Sequence, residues 1–234
     1  MSKRAKVNDV AKVVLNAGSN IIKQSETEKL LGAMIDKIGG WRVMLRDGEQ
    51  SVMKQIITRI SGLKKIAKNA DFETKLSVAN GIVQSKLQYL MPLWMGAPDY
   101  LVNTMQVQQL NAARVVCGYQ SFYWSREKLL NKCGWLSIKQ QMVVSTVTLA
   151  HNIITTGVPR NIYANLISEF PYQTRQKTNK DIRLDGNRSH QSEKTFKNRA
   201  RVHYNQIPAE IRQMEMKGFK TQVKKWVKTK VPII

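Results

Sequence analysis

The residues of this sequence that can do chemistry are mainly cations, and they recur in three stretches, at 54–68, 172–201 and 217–230. Lysine and arginine side chains in such stretches contact phosphate groups without reading a base sequence. Any one basic face could also be a solvated surface with no ligand. The candidate nucleic-acid contacts are Lys54, Arg59, Lys64, Lys65, Lys68, Arg175, Lys177, Lys197, Arg199, Arg201, Lys224, Lys225 and Lys228.

Residue types that catalyse reactions or bind metals occur here without a supporting pattern. None of the three histidines has a second ligand at zinc-site spacing, and Cys117 and Cys133 do not form a close Cys-x-x-Cys pair. No serine lies in a Gly-x-Ser-x-Gly context. Gly39-Gly40 is not followed by the Gly-Lys-Ser/Thr of a phosphate loop. The sequence therefore predicts no catalytic residue, no metal site, no cofactor and no small-molecule substrate.

The charge balance favours a polyanionic partner. The chain has 234 residues, with 38 Lys and Arg against 16 Asp and Glu, and a formal net charge of +22. An excess of this size attracts polyanions and releases their counterions on binding. We therefore expect RNA, an RNA–DNA hybrid or DNA as the partner, with a basic ribosome-associated or membrane-surface protein as the alternative.

The expected cell compartment is inferred from three features that we do not find in the sequence: a membrane-spanning segment, a secretory signal and a disulfide framework. No apolar run approaches the roughly 20 residues that cross a bilayer, so no membrane insertion is expected. The basic start has no apolar core or cleavage site of a secretory signal. Two cysteines do not make a disulfide framework. We expect a nuclear or cytoplasmic protein that is not secreted.

Hydrophobic periodicity predicts a mainly α fold, a helical bundle that positions the cations. Its organising stretch is 76–114, where two apolar-periodic helices fold back on each other between Pro92 and Pro98. Leu93 and Trp94 are expected to seal that corner. A loop is expected at 39–48. The other predicted helices run from a Ser51 cap to about Asn69, from a Ser125 cap to Gly134, from a Ser137 cap to Thr156, from Pro159 to Ile167, and through the last basic stretch.

Both ends of the chain differ from this helical centre. Apolar runs around Val10–Leu15, Ile21–Ile22 and Leu30–Ile35 predict a small antiparallel β element of two or three strands. After Pro171 the chain has 16 Lys and Arg against five acids, a net charge of +11. We expect a basic C-terminal tail that core aromatic residues hold on the domain. The predicted division is 1–40, 41–170 and 171–234.

An ordered set of motifs resembles a known family. The segments are TEKLLGAMID (27–36), ANGIVQSKLQYLMPLWMG (79–96), VQQLNAARVV (107–116), LLNKCGWLSIKQ (129–140), FPYQTR (170–175), FKNRARVHYNQIPAEIRQ (196–213) and GFKTQVKKWVK (218–228). Their order is similar to that in the C-terminal part of reverse transcriptases from non-LTR, LINE-type and jockey-like retrotransposons. The similarity extends from about residue 8 to near the end of the chain.

The resemblance implies a role as well as a fold. In that family the strand around 27–36 closes the palm, and the helices after it form the thumb and post-thumb, which follow the template–primer backbone. The helix at 51–69 would then be the main contact. The metal-binding aspartates and the YxDD box of such polymerases precede this segment, so Mg²⁺ is implied only for an intact parent enzyme. The resemblance also implies that Met1 is an internal methionine of a longer parent and that this chain alone does not polymerise.

Three other interpretations remain open at this stage. The chain could be a nucleic-acid-binding or assembly protein repurposed from such an element. It could be a truncated remnant without a selected role. It could also be an enzyme of an unrelated class with a convergent site.

Overall fold

The fold is mainly helical, with a small antiparallel β element near its N-terminal end, as predicted. A computed structural model describes residues 14–17, 20–23, 25–36, 40–166, 182 and 193–231. Among the helices in these ranges, none combines the length and the apolar content needed to cross a bilayer.

The β element consists of two separate hairpins. Strand β1 (Val14–Ala17) pairs antiparallel with β2 (Asn20–Lys23), and β3 (Thr27–Leu30) pairs antiparallel with β4 (Ala33–Asp36). The prediction of one strand over the third apolar run was wrong, because the run turns at Leu31, where φ is +48°. The hydroxyl of Tyr89 donates a hydrogen bond to the Leu31 carbonyl oxygen, which attaches the second hairpin to the helical body.

The described helices carry the rest of the fold. They are α1 (Val52–Ile66), α2 (Phe72–Ala79), α3 (Ser85–Gln88), α4 (Asp99–Cys117), α5 (Arg126–Lys132), α6 (Ile138–Thr156), α7 (Arg160–Leu166), α8 (Phe196–Gln206), α9 (Ala209–Arg212) and α10 (Met216–Lys230). A wide π-helical segment, Asn80–Gln84, joins α2 to α3. A second one, Val43–Asp47, lies where the sequence predicts a loop. Met44 and Leu45 are buried there, so core contacts override the glycine-rich surroundings.

Local capping explains most of the helix starts. Asp71 accepts a hydrogen bond from the Thr74 backbone N–H at 3.3 Å, and Ser125 accepts one from Lys128 at 3.2 Å. Ser137 and Gln140 form a complete capping box at the start of α6. Ser51 precedes α1 as predicted, but its side chain does not cap the helix. The Ser51 hydroxyl instead donates to the Arg46 carbonyl oxygen at 2.9 Å.

The predicted central helical pair organises the core. Helix α4 packs against α1, α2, α5 and α6. The chain reverses between residues 92 and 98, where Trp94 is only 1% exposed and its indole N–H donates to the Tyr89 carbonyl oxygen at 3.2 Å. Leu93 is 44% exposed, so Trp94 alone seals the corner.

The basic C-terminal region shares this core. Helices α8 and α10 both pack against α6. Tyr204 is buried, and Phe196 and Trp226 are half-buried against the same cluster. The prediction that aromatic residues hold this region on the domain is therefore confirmed.

Candidate nucleic-acid interface

Helix α1 separates apolar and basic side chains on opposite sides. Ile56 and Leu63 are fully buried, and Ile60 is nearly so. The lysines of the helix point into solvent, and no ion pair among the described residues involves them. These exposed lysines are Lys54, Lys64 and Lys65, and Lys68 is exposed in the turn that follows the helix.

Helical spacing aligns two of these lysines. With 3.6 residues per turn, Lys54 and Lys65 lie on one stripe along the outer side of α1, and Lys64 lies beside Lys65. The stripe is about 17 Å long at 1.5 Å rise per residue, and Lys68 follows just past the C-terminal end of the helix. A stripe of this kind can follow the phosphates of a nucleic-acid backbone.

Lys54 also belongs to a cation cluster, which we define as Lys29, Lys54, Arg59 and Lys86. Lys29, Lys54 and Lys86 line a hollow of about 460 Å³ beside the second hairpin. Burial lowers the pKa of Lys86 below its usual value, and the positive charges of Arg59 and Lys29 lower it further. Glu49 is the one acid among the described residues that line the hollow. A bound anion would therefore relieve repulsion in this cluster.

Two members of the cluster are absent from the sequence-based set. Lys29 lies in strand β3 and Lys86 in the short helix α3, and both segments are recognised in the sequence by their apolar residues. The two lysines come together through contacts between residues that are far apart in the sequence. No local signal in the sequence could have identified them.

Arg59 contributes its charge to the cluster but also has a structural role. Its Nη1 donates to the Ile82 carbonyl oxygen at 2.6 Å, and its side chain is half-buried. Arg59 thus holds α1 against the α2–α3 connection.

Helix α8 differs from the predicted basic surface. Arg201 is fully buried, and its Nε donates to the Leu166 carbonyl oxygen at 3.0 Å, at the C-terminal end of α7. Cations are favoured at helix C-termini by the helix dipole. The prediction of Arg201 as a surface contact is therefore corrected, because its guanidinium joins α8 to α7. Lys197 and Arg199 are half-buried.

Helix α10 presents a second row of exposed lysines. Its apolar side, Phe219, Val223 and Val227, is fully buried against α6. The flank of the helix next to this apolar side lines a groove of about 910 Å³ between α10 and α6. The lysines that line this groove are Lys220, Lys224, Lys225 and Lys228. The sequence-based set includes the last three of them.

A buried histidine fixes α10 against α6. His151 stacks on Phe219 with ring centroids 3.8 Å apart and ring planes 5° apart. Its Nε2 lies 3.1 Å from the Met214 carbonyl oxygen, and its Nδ1 lies 3.1 Å from the Tyr204 hydroxyl. The lysine row is therefore held by a rigid buried cluster.

Glutamine side chains form the floor of the same groove. Gln109 Nε2 donates to the Leu136 carbonyl oxygen at 2.9 Å, and Gln141 Nε2 donates to it at 2.7 Å. Gln141 Nε2 also lies 3.3 Å from Gln84 Oε1. Within the part of the chain that the structure describes, two buried amide atoms, Gln84 Nε2 and Gln141 Oε1, have no hydrogen-bond partner.

Two predicted contacts, Arg175 and Lys177, lie outside the described residues. Within the described ranges, no three residues of the His, Cys, Asp and Glu types come together as metal ligands. The fold does bring Cys117 and Cys133 together, with their sulfur atoms 3.7 Å apart and both thiols free.

Comparison of the chain with known protein families, with characterised proteins and with solved structures finds no match.

Proposed function

We propose that this chain is a nucleic-acid-binding segment that grips the sugar–phosphate backbone of RNA or of an RNA–DNA hybrid. It would act like the thumb and post-thumb of a non-LTR retrotransposon reverse transcriptase, which its motifs resemble. It would do so in the nucleus or cytoplasm, and alone it would bind without polymerising. The observation that carries the proposal is the cation cluster, whose members form no ion pair among the described residues and which continues into the lysine stripe of α1.

The arrangement suits phosphate better than a small anion. The stripe from Lys54 to Lys65 is exposed, takes part in no ion pair among the described residues and is about 17 Å long. A strand places successive phosphates about 3.4 Å apart along the helix axis, so several phosphates would face the stripe. Lysine ammonium groups act there as point charges, which do not distinguish base sequences.

The test is a salt series with a charge-matched control. We expect K64E/K65E to weaken binding of a labelled RNA–DNA hybrid and to flatten the dependence of log K on log salt concentration by about 2, because each lost phosphate contact removes about 0.9 from the slope. K29Q/K86Q should flatten the slope by a similar amount through the cation cluster. The control K217E/K230E changes the net charge as much as K64E/K65E does, at exposed lysines of α10 outside the groove.

Fluorescence anisotropy at salt concentrations from 50 to 300 mM measures these slopes. Equal losses in K64E/K65E and K217E/K230E would mean that only net charge matters and would reject α1 as the contact. Unchanged affinity of K64E/K65E at low salt would reject it as well.

A further inference from the structure

We propose that the groove between α6 and α10 binds an unpaired stretch of nucleic acid, with phosphates on the lysine row and bases on the glutamine floor. The inference rests on the proposed function and adds to it a second, chemically distinct contact. The α1 stripe would follow a backbone, whereas this groove would hold single-stranded nucleotides.

The charge of the groove selects a polyanion. Lys220, Lys224 and Lys228 are spaced four residues apart and so form one row along α10. Among the described residues that line the groove, none is acidic. The row is about 12 Å long, which matches roughly three or four phosphates of a stacked strand.

The wall and floor opposite the lysines are neutral and mixed in polarity. Leu149 is 39% exposed and Pro92 is half-buried, and both line the groove. The amide side chains that line it are Asn80, Gln84, Gln88, Gln141 and Asn152. Bases carry both an apolar face and polar edges, so they fit such a surface.

Unpaired polar atoms give a second, independent indication of a ligand. Gln84 is 4% exposed and Gln141 is 8% exposed, and they leave one amide donor and one amide acceptor without a partner among the described residues. The hydroxyl of Thr148 is also buried and has no partner in the described part of the chain. All three side chains line this groove. Buried polar atoms normally have a partner, and a base edge offers both donors and acceptors.

The geometry favours an unpaired strand over a duplex. The groove is lined by α10, by α6 and by residues between 80 and 92, so it lies among three parts of the fold and not on one open helix face. In a duplex the bases are stacked inside two backbones and cannot reach such a floor. Single-stranded nucleotides can turn their bases toward the amides while their phosphates stay on the lysine row.

The experiment compares variants on two probes of equal length, a labelled 12-nucleotide single-stranded RNA and the corresponding RNA–DNA hybrid. We expect K224E/K228E to weaken binding of the single strand about tenfold and to flatten its salt slope by about 1.4, because each lost phosphate contact on a single strand removes about 0.7 from the slope. Binding of the hybrid should fall much less. The control K217E/K230E has the same charge change on the same helix but lies outside the groove.

A second variant separates base contacts from phosphate contacts. T148V removes one hydroxyl and no charge, so we expect it to weaken single-strand binding several-fold with an unchanged salt slope. Its control is T104V, since the Thr104 hydroxyl donates to the Tyr100 carbonyl oxygen at 2.8 Å on α4, away from the groove. Circular dichroism and thermal unfolding verify that each variant is folded.

Each result decides between the two proposals. Equal effects of K224E/K228E and K217E/K230E, or equal effects on the single strand and the hybrid, would overturn the groove. If hybrid binding then still depended on Lys64 and Lys65, the proposed function would stand without the groove. Absence of any binding by the unaltered chain would overturn both.

Discussion

Replacement of His151 by alanine tests how α10, which carries the lysine row, is held on the domain that carries the lysine stripe of α1. The Met214 carbonyl oxygen can only accept a hydrogen bond, so His151 Nε2 carries the proton and Nδ1 accepts from the Tyr204 hydroxyl. Burial raises the pKa of Tyr204 to about 12, which keeps that hydroxyl protonated as a donor. His151 therefore connects α6 to two different C-terminal segments.

The size of the effect follows from the contacts that are lost. H151A removes the partner of the part-buried Met214 carbonyl oxygen and of the buried Tyr204 hydroxyl, which costs about 1 to 3 kcal/mol. The stack on Phe219 contributes about 1 kcal/mol beyond the buried area. The space left by the ring adds a cavity cost. We expect the free energy of unfolding to fall by about 3 to 4 kcal/mol.

Urea denaturation followed by circular dichroism measures this change. N152A is the control on the same helix, because Asn152 is exposed, and its effect should stay within about 0.5 kcal/mol. A double-mutant cycle with Y204F should give a coupling energy of about 1 kcal/mol. A loss below about 1 kcal/mol in H151A would refute the argument that this cluster holds α10 in place.

Two further outcomes concern titratable side chains. Burial lowers the pKa of His203, and the positive charge of Arg199 lowers it further. As the pH falls, His203 therefore binds a proton in the unfolded chain before it does so in the folded chain. The folded chain loses stability as the pH drops below about 6.5. H203Q should show a smaller fall in the free energy of unfolding between pH 7 and pH 5. Burial and the adjacent Cys117 raise the pKa of the Cys133 thiol, so iodoacetamide at pH 8 should modify Cys117 first, as peptide mass spectrometry can measure. The first prediction would be contradicted if the free energy of unfolding of H203Q depended on pH as it does in the unaltered chain. The second would be contradicted if iodoacetamide modified Cys117 and Cys133 at equal rates.

Features that depend on a few neighbouring residues are predictable from this sequence. The caps at Asp71, Ser125 and Ser137 need only a side chain and a backbone N–H within one turn. Gly157 ends α6 in the left-handed conformation that glycine adopts easily. The central helical pair is equally readable, because its apolar periodicity extends over many residues.

Features that depend on distant contacts were not predictable. The π-helical segment at Val43–Asp47 exists because Met44 and Leu45 enter a core built mostly from later helices. Lys29 joins the cation cluster only because β3 lies beside α1 and α3. Cys117 and Cys133 meet only because α5 folds back on α4. In each case the relevant neighbour is set by tertiary packing, which local patterns do not encode.

The structure also distinguishes buried arginines from exposed lysines, which a pattern of basic residues in the sequence does not. Arg59 and Arg201 donate to backbone carbonyl oxygens inside the fold, and Arg212 is buried with its guanidinium 5.9 Å from the centre of the Tyr204 ring. Guanidinium groups suit such positions, because they are weakly hydrated and carry five donors in one plane. The lysines of α1 and α10 remain exposed and keep their charge for solvent or a ligand. If these lysines are the phosphate contacts, binding should depend on salt and on strand type much more than on base sequence, since an ammonium group has no fixed fork to match a base edge.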